Sequence, residues 1–309
     1  MNRITLQSPG QFTTVQDLGR IGHGSLGVAM CGAADQCSLR LGNRLVGNPD
    51  SAAALEMTFV GATVRFDAPT RVALTGARAP RASVPMWRAV DLESHRELAI
   101  GPIESGVRTY LCIAGGIDTP QVLGSRAAHV ATGLGPPRCA ANTTLPVGSP
   151  TNIQQEVSDA ALLHELVAEL DRQELRIVPG PHRDHLPQHS WDELLAGSWC
   201  IDMQSDRIGT RLIGPSGASS SGALPTEGAF HGAIQLPPSG QPIILGPDCA
   251  PTGGYPIIAS IASVDLPALA QRRPGETIRF TPTSIEEAQR LARARKDLMN
   301  RAIAPIQEP

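Results

Sequence analysis

The chain has 309 residues, 41% of them hydrophobic, and a formal net charge of −3 at pH 7. This length allows two modest globular domains, and without a basic run there is no reason to expect a nucleic acid or a membrane as a partner. The N-terminal residues lack a signal-peptide apolar segment and no window approaches a membrane-spanning length. We therefore predict a cytoplasmic location.

Two residue types narrow the chemistry further. Lys296 is the one lysine of the chain, so a lysine nucleophile or Schiff base has almost no candidate. The six cysteines have no CxxC pairing and no matched spacing, which predicts buried free thiols and no metal site or disulfide framework.

Strands are predicted along most of the chain. Glycine and proline are spread throughout, which favours many short strands joined by turns. Strands are expected in residues 62–76 (two, with a proline turn), 106–116, 175–181, 241–248 and 276–282. In residues 106–116 the alternation places Val107, Thr109, Leu111 and Ile113 on one face and Arg108, Tyr110 and Cys112 on the other. No βαβ rhythm appears, so we predict a mainly β fold.

Three helices are predicted, at residues 35–48, 158–173 and 284–301. The first has a leucine stripe that stops at Gly47, the second has leucines at helical spacing after a Ser/Asp cap, and the third begins with Ser284 and Glu287 at the spacing of a capping box. Residues 139–155 show neither a strand nor a helix pattern. The predicted domains are therefore an N-terminal β-rich domain (1–150), a helical connector (151–174) and a C-terminal β-barrel domain with a terminal helix (175–309).

Two segments combine acidic, basic and glycine residues. In TVQDLGRIGHGSLGV (14–28), Gln16, Asp17 and Arg20 lie among glycines, which suggests close approach of the backbone to a ligand or strand. In SDRIGTRLIG (205–214), Asp206, Arg207 and Arg211 surround a glycine. An arginine fork can bind a carboxylate or phosphate. Taken by itself, however, the segment favours an Asp–Arg pair that only ties a turn to its neighbour, because structural ion pairs outnumber catalytic ones.

The segment 226–256 has the composition of a polar pocket. Small residues and prolines separate its polar side chains, and Gly253–Gly254 could offer N–H groups to an oxyanion. The alternative is a series of hairpin turns whose side chains bond their own backbone. His182, His185 and His189 suggest a metal site, but Pro181 and Pro187 prevent one helix from presenting them together, so a surface loop is favoured. The Gly/Ser-rich residues 214–222 predict a flexible loop.

Familiar catalytic motifs are missing from the sequence. It contains no GxxxxGK[ST] phosphate loop, no dinucleotide-binding fingerprint and no GxSxG nucleophile elbow. A site built from these segments would therefore depend on positioning and charge stabilisation.

Taken in order, the segments resemble the C-type subunits of 5-oxoprolinase, a group also described as biotin-dependent carboxyltransferase or allophanate hydrolase subunit 2 proteins. The resemblance rests on QDLGRIGHGSLGV, ALEMTFVGATVRF, YLCIAGGIDTPQVLGSR, SDRIGTRLIG, EGAFHGAIQLPPSGQPIILGPD and TGGYPIIASIASVDLPALAQRRPGETIRF. It implies cyclophilin-like barrels and a site in which QDLGR, SDRIGTR and TGGYP form walls of one cleft. The implied catalytic residues are Asp17, Asp206 and Arg207. The implied substrate-binding residues are Gln16, Arg20, Glu56, Arg211, Gln235, Asp248, Thr252, Gly253, Gly254 and Tyr255.

The sequence departs from this family at two places. After LGSR it continues AAHVATGLGPPRCAANT, and before TGGYP it has Cys249 where the family pattern implies an arginine. If that arginine binds the substrate in other family members, we expect this protein to prefer a different substrate or to have lost activity.

The resemblance implies a small-molecule amide substrate and partner subunits of the B type and A type. The leading prediction is a subunit of an ATP-dependent hydrolase of the 5-oxoprolinase type, with ATP used in the assembled complex and no covalently bound cofactor. One alternative is a carboxyltransferase component of a urea or amide carboxylase. Lys296 lacks the usual flanking methionine, so biotin would come on a separate carrier. Another alternative is a regulatory protein that sequesters an inhibitor of a kinase.

Overall fold

The computed structural model describes residues 2–151, 155–157, 159–214 and 224–305. By its internal contacts the chain divides into two compact units. The first unit comprises Met1–Arg20, Cys31–Val167 and Asp297–Pro309, and the second comprises Ile21–Met30 and Ala168–Lys296. The domain boundaries expected from the sequence, at residues 150 and 174, stay predictions.

Strands dominate the described ranges. The first ten are β1 (Arg3–Ser8), β2 (Phe12–Gln16), β3 (Ala54–Thr58), β4 (Val60–Phe66), β5 (Thr70–Arg78), β6 (Ala89–Leu92), β7 (Glu97–Pro102), β8 (Ser105–Ile113), β9 (Thr143–Pro146) and β10 (Gln155–Val157). The others are β11 (Glu174–Pro179), β12 (Trp199–Ile201), β13 (Gly209–Ile213), β14 (Glu227–Gly228), β15 (Ala233–Gln235), β16 (Ile243–Leu245), β17 (Thr252–Gly253), β18 (Ile257–Ile261), β19 (Thr277–Pro282) and β20 (Ile303–Pro305).

The α-helices are α1 (Gln36–Leu45), α2 (Ala160–Ala168), α3 (Gln188–Ala196), α4 (Leu266–Ala270) and α5 (Ile285–Ala302). Short 3₁₀ turns cover Gly24–Leu26, Glu169–Asp171 and Arg183–His185. Among the helices that the structure describes, none has the length and apolar character to cross a membrane.

The three predicted helices are confirmed as α1, α2 and α5, and local signals account for their ends. Gly47 follows α1 with φ +79, a left-handed conformation that favours glycine. Asp159 accepts hydrogen bonds from the backbone N–H groups of residues 161 and 162 at the start of α2. The Ser284 hydroxyl accepts from the Glu287 N–H over 3.1 Å, which forms one half of the predicted capping box. The Glu287 carboxylate instead accepts from Arg290.

In the first unit, the described strands form a four-stranded sheet (β7-β4-β1-β9) and a five-stranded sheet (β2-β3-β8-β5-β6). One hydrophobic cluster joins the two sheets and includes Leu6, Phe66 and Leu111. A second cluster packs Leu39 and Leu41 of α1 with residues of the five-stranded sheet. That sheet is therefore buried on both faces.

The burial of β8 shows the effect of this layering. Leu111 and Ile113 lie in the cluster between the sheets, whereas Tyr110 and Cys112 lie in the cluster with α1. The predicted alternation of faces is correct, and both faces are covered. Each face of the strand contributes to a separate core.

The second unit contains a closed seven-stranded barrel in the order β11-β18-β15-β16-β13-β12-β19, and β19 pairs with β11 in parallel to close it. Its core includes Leu175, Trp199 and Phe280. The barrel and the scarcity of helices confirm the predicted mainly β fold.

Some sequence predictions were incomplete. β9 lies inside residues 139–155, where no strand pattern was recognised, because its pairing with β1 supplies the hydrogen bonds that local propensity did not signal. Helix α3 begins inside the predicted histidine loop, after Pro187. The predicted flexible loop at 214–222 lies, from residue 215 onward, outside the described residues.

Candidate functional site

Asp17 of the first unit follows β2 directly and is 7% exposed. The Gly19 N–H and the Ser125 hydroxyl donate to its Oδ1 over 2.8 and 2.7 Å. The Arg126 N–H donates to its Oδ2 over 2.6 Å. The carboxylate therefore holds the turn after β2 against residues 125–126, and its acceptor capacity is largely occupied by the protein itself.

The glycines around Asp17 serve two different needs. A Cβ atom at Gly32 would lie 2.6 Å from the Gly19 nitrogen, so the close approach of two chain segments requires glycine there. Gly22 has φ +94 with open space around its Cβ position, so its backbone conformation is the reason for glycine. The predicted close approach thus brings one part of the protein backbone against another.

A cavity of about 360 Å³ lies beside Asp17 in the first unit. Its lining includes Asp17, Asp118 and Arg126. The Arg126 guanidinium forms an ion pair with Asp118. The cavity therefore presents both acidic and basic groups, and of these the sequence had indicated only Asp17.

Gln16 and Arg20 hold the loop that follows residue 121. Gln16 Nε2 donates to the Ala128 carbonyl over 3.0 Å, and the Arg20 guanidinium donates to the carbonyls of Val122 and Ala127. The family resemblance implied that Arg20 binds substrate, a role that stays a prediction. Its hydrogen bonds in the described structure go to main-chain carbonyls.

Two side-chain atoms of this pair have no hydrogen-bond partner in the described part of the chain, namely Gln16 Oε1 and Arg20 Nη1. Both atoms are out of contact with solvent, and Arg20 is 2% exposed. A ligand could reach these two atoms only if the residues that cover them moved.

Glu56 lies on β3 opposite Tyr110 of β8. Its Oε2 accepts from the Tyr110 hydroxyl over 2.7 Å and from the Ala34 N–H over 2.9 Å. The Tyr110 oxygen also accepts from the Asp35 N–H, at the residue that caps α1. Burial, followed by the charges of Glu56 and Asp35, raises the pKa of Tyr110 well above its usual value. Glu56 thus fastens the start of α1 to the sheet, and its expected role in binding substrate stays a prediction.

Arg207 and Asp248 form a bidentate ion pair in the second unit. Arg207 Nε donates to Asp248 Oδ2 over 2.8 Å, and Nη2 donates to Oδ1 over 2.7 Å. Both residues are 8% exposed. The Asp248 N–H also donates to the Arg207 carbonyl over 3.1 Å. This pair joins two loops at one end of the barrel, and the sequence had not paired these two residues.

Asp206 has a local role. Its Oδ1 accepts from the N–H groups of Ile208 and Gly209 over 2.8 and 3.1 Å, and its side chain is exposed. This is the geometry of an Asx turn, so the carboxylate shapes its own loop. A catalytic role for Asp206 stays a prediction.

Arg211 and Tyr255 both line a second cavity, of about 520 Å³, within the second unit. The other predicted residues of this unit lie elsewhere around the barrel. Thr252 and Gly253 pair with Glu227 and Gly228, so their backbone belongs to a two-stranded ladder.

Gly253 and Gly254 were expected to expose N–H groups to an oxyanion. A Cβ atom at Gly253 would lie 2.7 Å from Gln235 Nε2, and one at Gly254 would lie 3.2 Å from the Leu224 carbonyl oxygen. The atom close to Gly253 ends a flexible side chain, whereas the atom close to Gly254 belongs to the backbone. Their role toward an oxyanion stays a prediction.

His182 has two protein partners. Its Nδ1 accepts from the Ile257 N–H over 3.0 Å, and its Nε2 lies 3.0 Å from a Glu227 oxygen. This arrangement requires the proton on Nε2. Nδ1 thus holds the start of β18, and Nε2 contacts β14.

Cys249, at the position where the family pattern implies an arginine, is buried in an apolar cluster with Ala233, Leu245 and Ile257. Burial, and then the neighbouring Asp248 charge, raises the pKa of its thiol to about 11. The site holds a small uncharged side chain, so a guanidinium could enter only with rearrangement.

We expect Cys249 to react slowly with thiol reagents. With a pKa of about 11, about one thiol in a thousand is ionised at pH 8, and the rate should rise as the pH approaches the pKa. Cys200, which is half-buried, should be labelled first. Iodoacetamide labelling of the folded chain followed by peptide mass spectrometry measures both rates, and denaturant should abolish the difference. Equal rates in the folded chain would contradict this expectation.

The predicted site residues therefore fall into two groups. Gln16, Asp17, Arg20 and Glu56 lie in the first unit, and the other nine lie in the second. That the two groups form one cleft stays a prediction. Sequence reasoning missed the roles of Ser125 and Arg126, for which the LGSR motif was the available signal.

The two β-rich units can now be compared with known protein families. Residues 26–282 match the family described as carboxyltransferase domain, subdomain A and B, and the chain belongs to this family. The predicted resemblance is thereby confirmed.

Individual relatives refine this assignment. The chain is 36% identical over 297 residues to the C-type subunit of 5-oxoprolinase from Escherichia coli K12, with 93% of each chain covered. It is 30% identical to urea amidolyase of Saccharomyces cerevisiae over 93% of this chain and 17% of that protein. The solved urea carboxylase of Kluyveromyces lactis superposes with a TM-score of 0.85 at 25% identity, over 96% of this chain and 29% of that one. This chain thus corresponds to under a third of those larger proteins.

Proposed function

We propose that this chain is one subunit of a multi-subunit, ATP-dependent hydrolase that opens a cyclic amide, 5-oxoproline, to give glutamate. The observation that carries the proposal is the match to the C-type subunit of E. coli 5-oxoprolinase, which extends over 93% of both chains. The match to urea amidolyase, in contrast, covers only 17% of that protein, and it therefore supports the proposal less directly. The proposed partners are a B-type and an A-type subunit.

The residues of the chain support a role in binding and positioning. Lys296 is the one lysine and lies in α5, so the lysine of a phosphate loop has no candidate, and we assign no ATP step to this chain. ATP would be used in the assembled complex. Arg211, which lines the cavity of the second unit, is the proposed contact for a polar substrate. The acidic and basic groups beside Asp17 line a different cavity, in the first unit.

Co-expression with the A-type and B-type subunits tests the proposal. We expect the chain to co-elute with its partners in size-exclusion chromatography and the complex to release glutamate from 5-oxoproline in an ATP-dependent assay. Controls omit ATP or this chain, and either omission should abolish release. Turnover by the isolated chain, or failure to form a complex under any condition tested, would oppose the proposal.

Carboxyl transfer is the second candidate function. The family description and the similarity to a solved urea carboxylase favour it. Since Lys296 lies on a regular helix, we propose that biotin would arrive on a separate carrier protein. Transfer of labelled carboxylate from carboxylated biotin carrier to urea, dependent on this chain, would support this function over amide hydrolysis.

A further inference from the structure

The cavity in the second unit has the size of a small-molecule site. Its volume of about 520 Å³ lies within the usual range for ligand pockets. Strand β13, the turn of residues 237–242 and Tyr255 supply its walls. All of these elements belong to the second unit, so the cavity is defined by that unit alone.

Arg211 is the cation of this cavity. Its N–H donates to Ser205 Oγ over 3.0 Å, and its carbonyl accepts from the Asp202 N–H over 2.9 Å, so its backbone is held firmly. Its side chain is exposed. Within the described ranges, no carboxylate forms an ion pair with its guanidinium. The fork is therefore available to an external carboxylate.

Asp202 is the acidic residue of the cavity lining, and its carboxylate stabilises the turn that follows it. Its Oδ1 accepts from the Gln204 N–H over 2.7 Å. The Gln241 Oε1 accepts from the Gly214 N–H over 3.0 Å, which leaves the Gln241 amide nitrogen to donate. The cavity thus combines a guanidinium with an amide donor.

Part of the remaining wall is apolar and stiff. Pro237, Pro238 and Pro242 line the cavity, and the Tyr255 side chain is 41% exposed beside them. Proline rings and an aromatic ring lose little conformational freedom when a flat ligand packs on them. Such walls favour a compact ring over a flexible chain.

We propose that this cavity binds a small carboxylate whose compact, flat body carries a carbonyl group. The carboxylate pairs with Arg211, the ring lies against Tyr255 and the prolines, and the carbonyl accepts from Gln241. This inference assigns a binding site to the substrate of the proposed function and rests on that function, because 5-oxoproline is a molecule of this kind.

Calorimetric titration of the full chain, alone and in the assembled complex, tests the site. Three probes separate the contributions: 5-oxoproline, cyclopentanecarboxylate, which has a ring and a carboxylate, and 2-pyrrolidinone, which has a cyclic amide and no carboxylate. We expect R211Q to weaken 5-oxoproline binding about tenfold, as expected for the loss of a charge-assisted pair. R279Q, at an exposed arginine of β19 outside the cavity lining, should bind like the original chain.

Clear results would overturn the site. These are unchanged affinity in R211Q, equal binding of 2-pyrrolidinone and 5-oxoproline, or no binding by either the chain or the complex. Thermal unfolding of R211Q and R279Q should match, which excludes misfolding as the cause of weaker binding. Binding that depends on Arg211 in a complex without turnover would oppose the proposed function and leave the site standing. An active complex whose affinity for substrate is unchanged by R211Q would support the proposed function and overturn the proposed site.

Discussion

Replacing Asp248 by alanine is expected to lower the free energy of unfolding by about 3 kcal/mol. The substitution removes both hydrogen bonds from the Arg207 guanidinium to this carboxylate, at a site where each residue is 8% exposed. A buried guanidinium that loses its carboxylate keeps the cost of desolvation without the compensating attraction. Urea denaturation followed by circular dichroism measures the change.

A double-mutant cycle isolates the pair. R207A, D248A and the double variant should show a coupling free energy of about 2 kcal/mol, since the residues touch directly. The control is the exposed Arg290–Glu287 pair on α5, which has the same bidentate geometry with distances of 2.7 and 2.6 Å. E287Q should leave the unfolding transition within experimental error because solvent screens that pair. Additive effects of the two single substitutions would show that the ion pair does not stabilise the barrel.

Replacing Asp17 by alanine is expected to destabilise the chain by about 3 kcal/mol, since three donors lose their acceptor in a buried position. These donors are the Gly19 N–H, the Ser125 hydroxyl and the Arg126 N–H. S125A removes one of the three bonds and also the acceptor of the Ala127 N–H, so it should cost about 2 kcal/mol. Thermal and urea unfolding of each variant measure these differences.

D206A is the matched comparison for D17A, since the family resemblance implied a catalytic role for both carboxylates. Asp206 is exposed and supports only its own turn, so its loss should cost no more than about 1 kcal/mol. Activity of the assembled complex separates the roles. A D17A chain with unchanged stability and no activity would contradict the anchoring role derived for Asp17 and favour a chemical one.

More of the fold than of the candidate site could be predicted from the sequence. Helices α1 and α5 and strands β5, β8, β11 and β19 were recognised because their signals lie within a few residues of each other. Strand β9 and helix α3 were missed because neither has a strong local pattern. The catalytic roles implied for Asp17 and Arg207 stay predictions; the structure shows both side chains buried, with hydrogen-bond partners that could not be read from neighbouring positions.

By itself, the sequence determined the family, the mainly β fold and the positions of the polar segments, because periodicity, caps and motifs are local properties of the chain. Only the tertiary structure decided what those polar groups contact. Asp17 meets Ser125 across 108 residues, and Arg207 meets Asp248 across 41. Such pairs depend on how sheets layer and how the barrel closes. Arg207 therefore acquires Asp248 as its partner, while the adjacent Asp206 bonds to its own backbone.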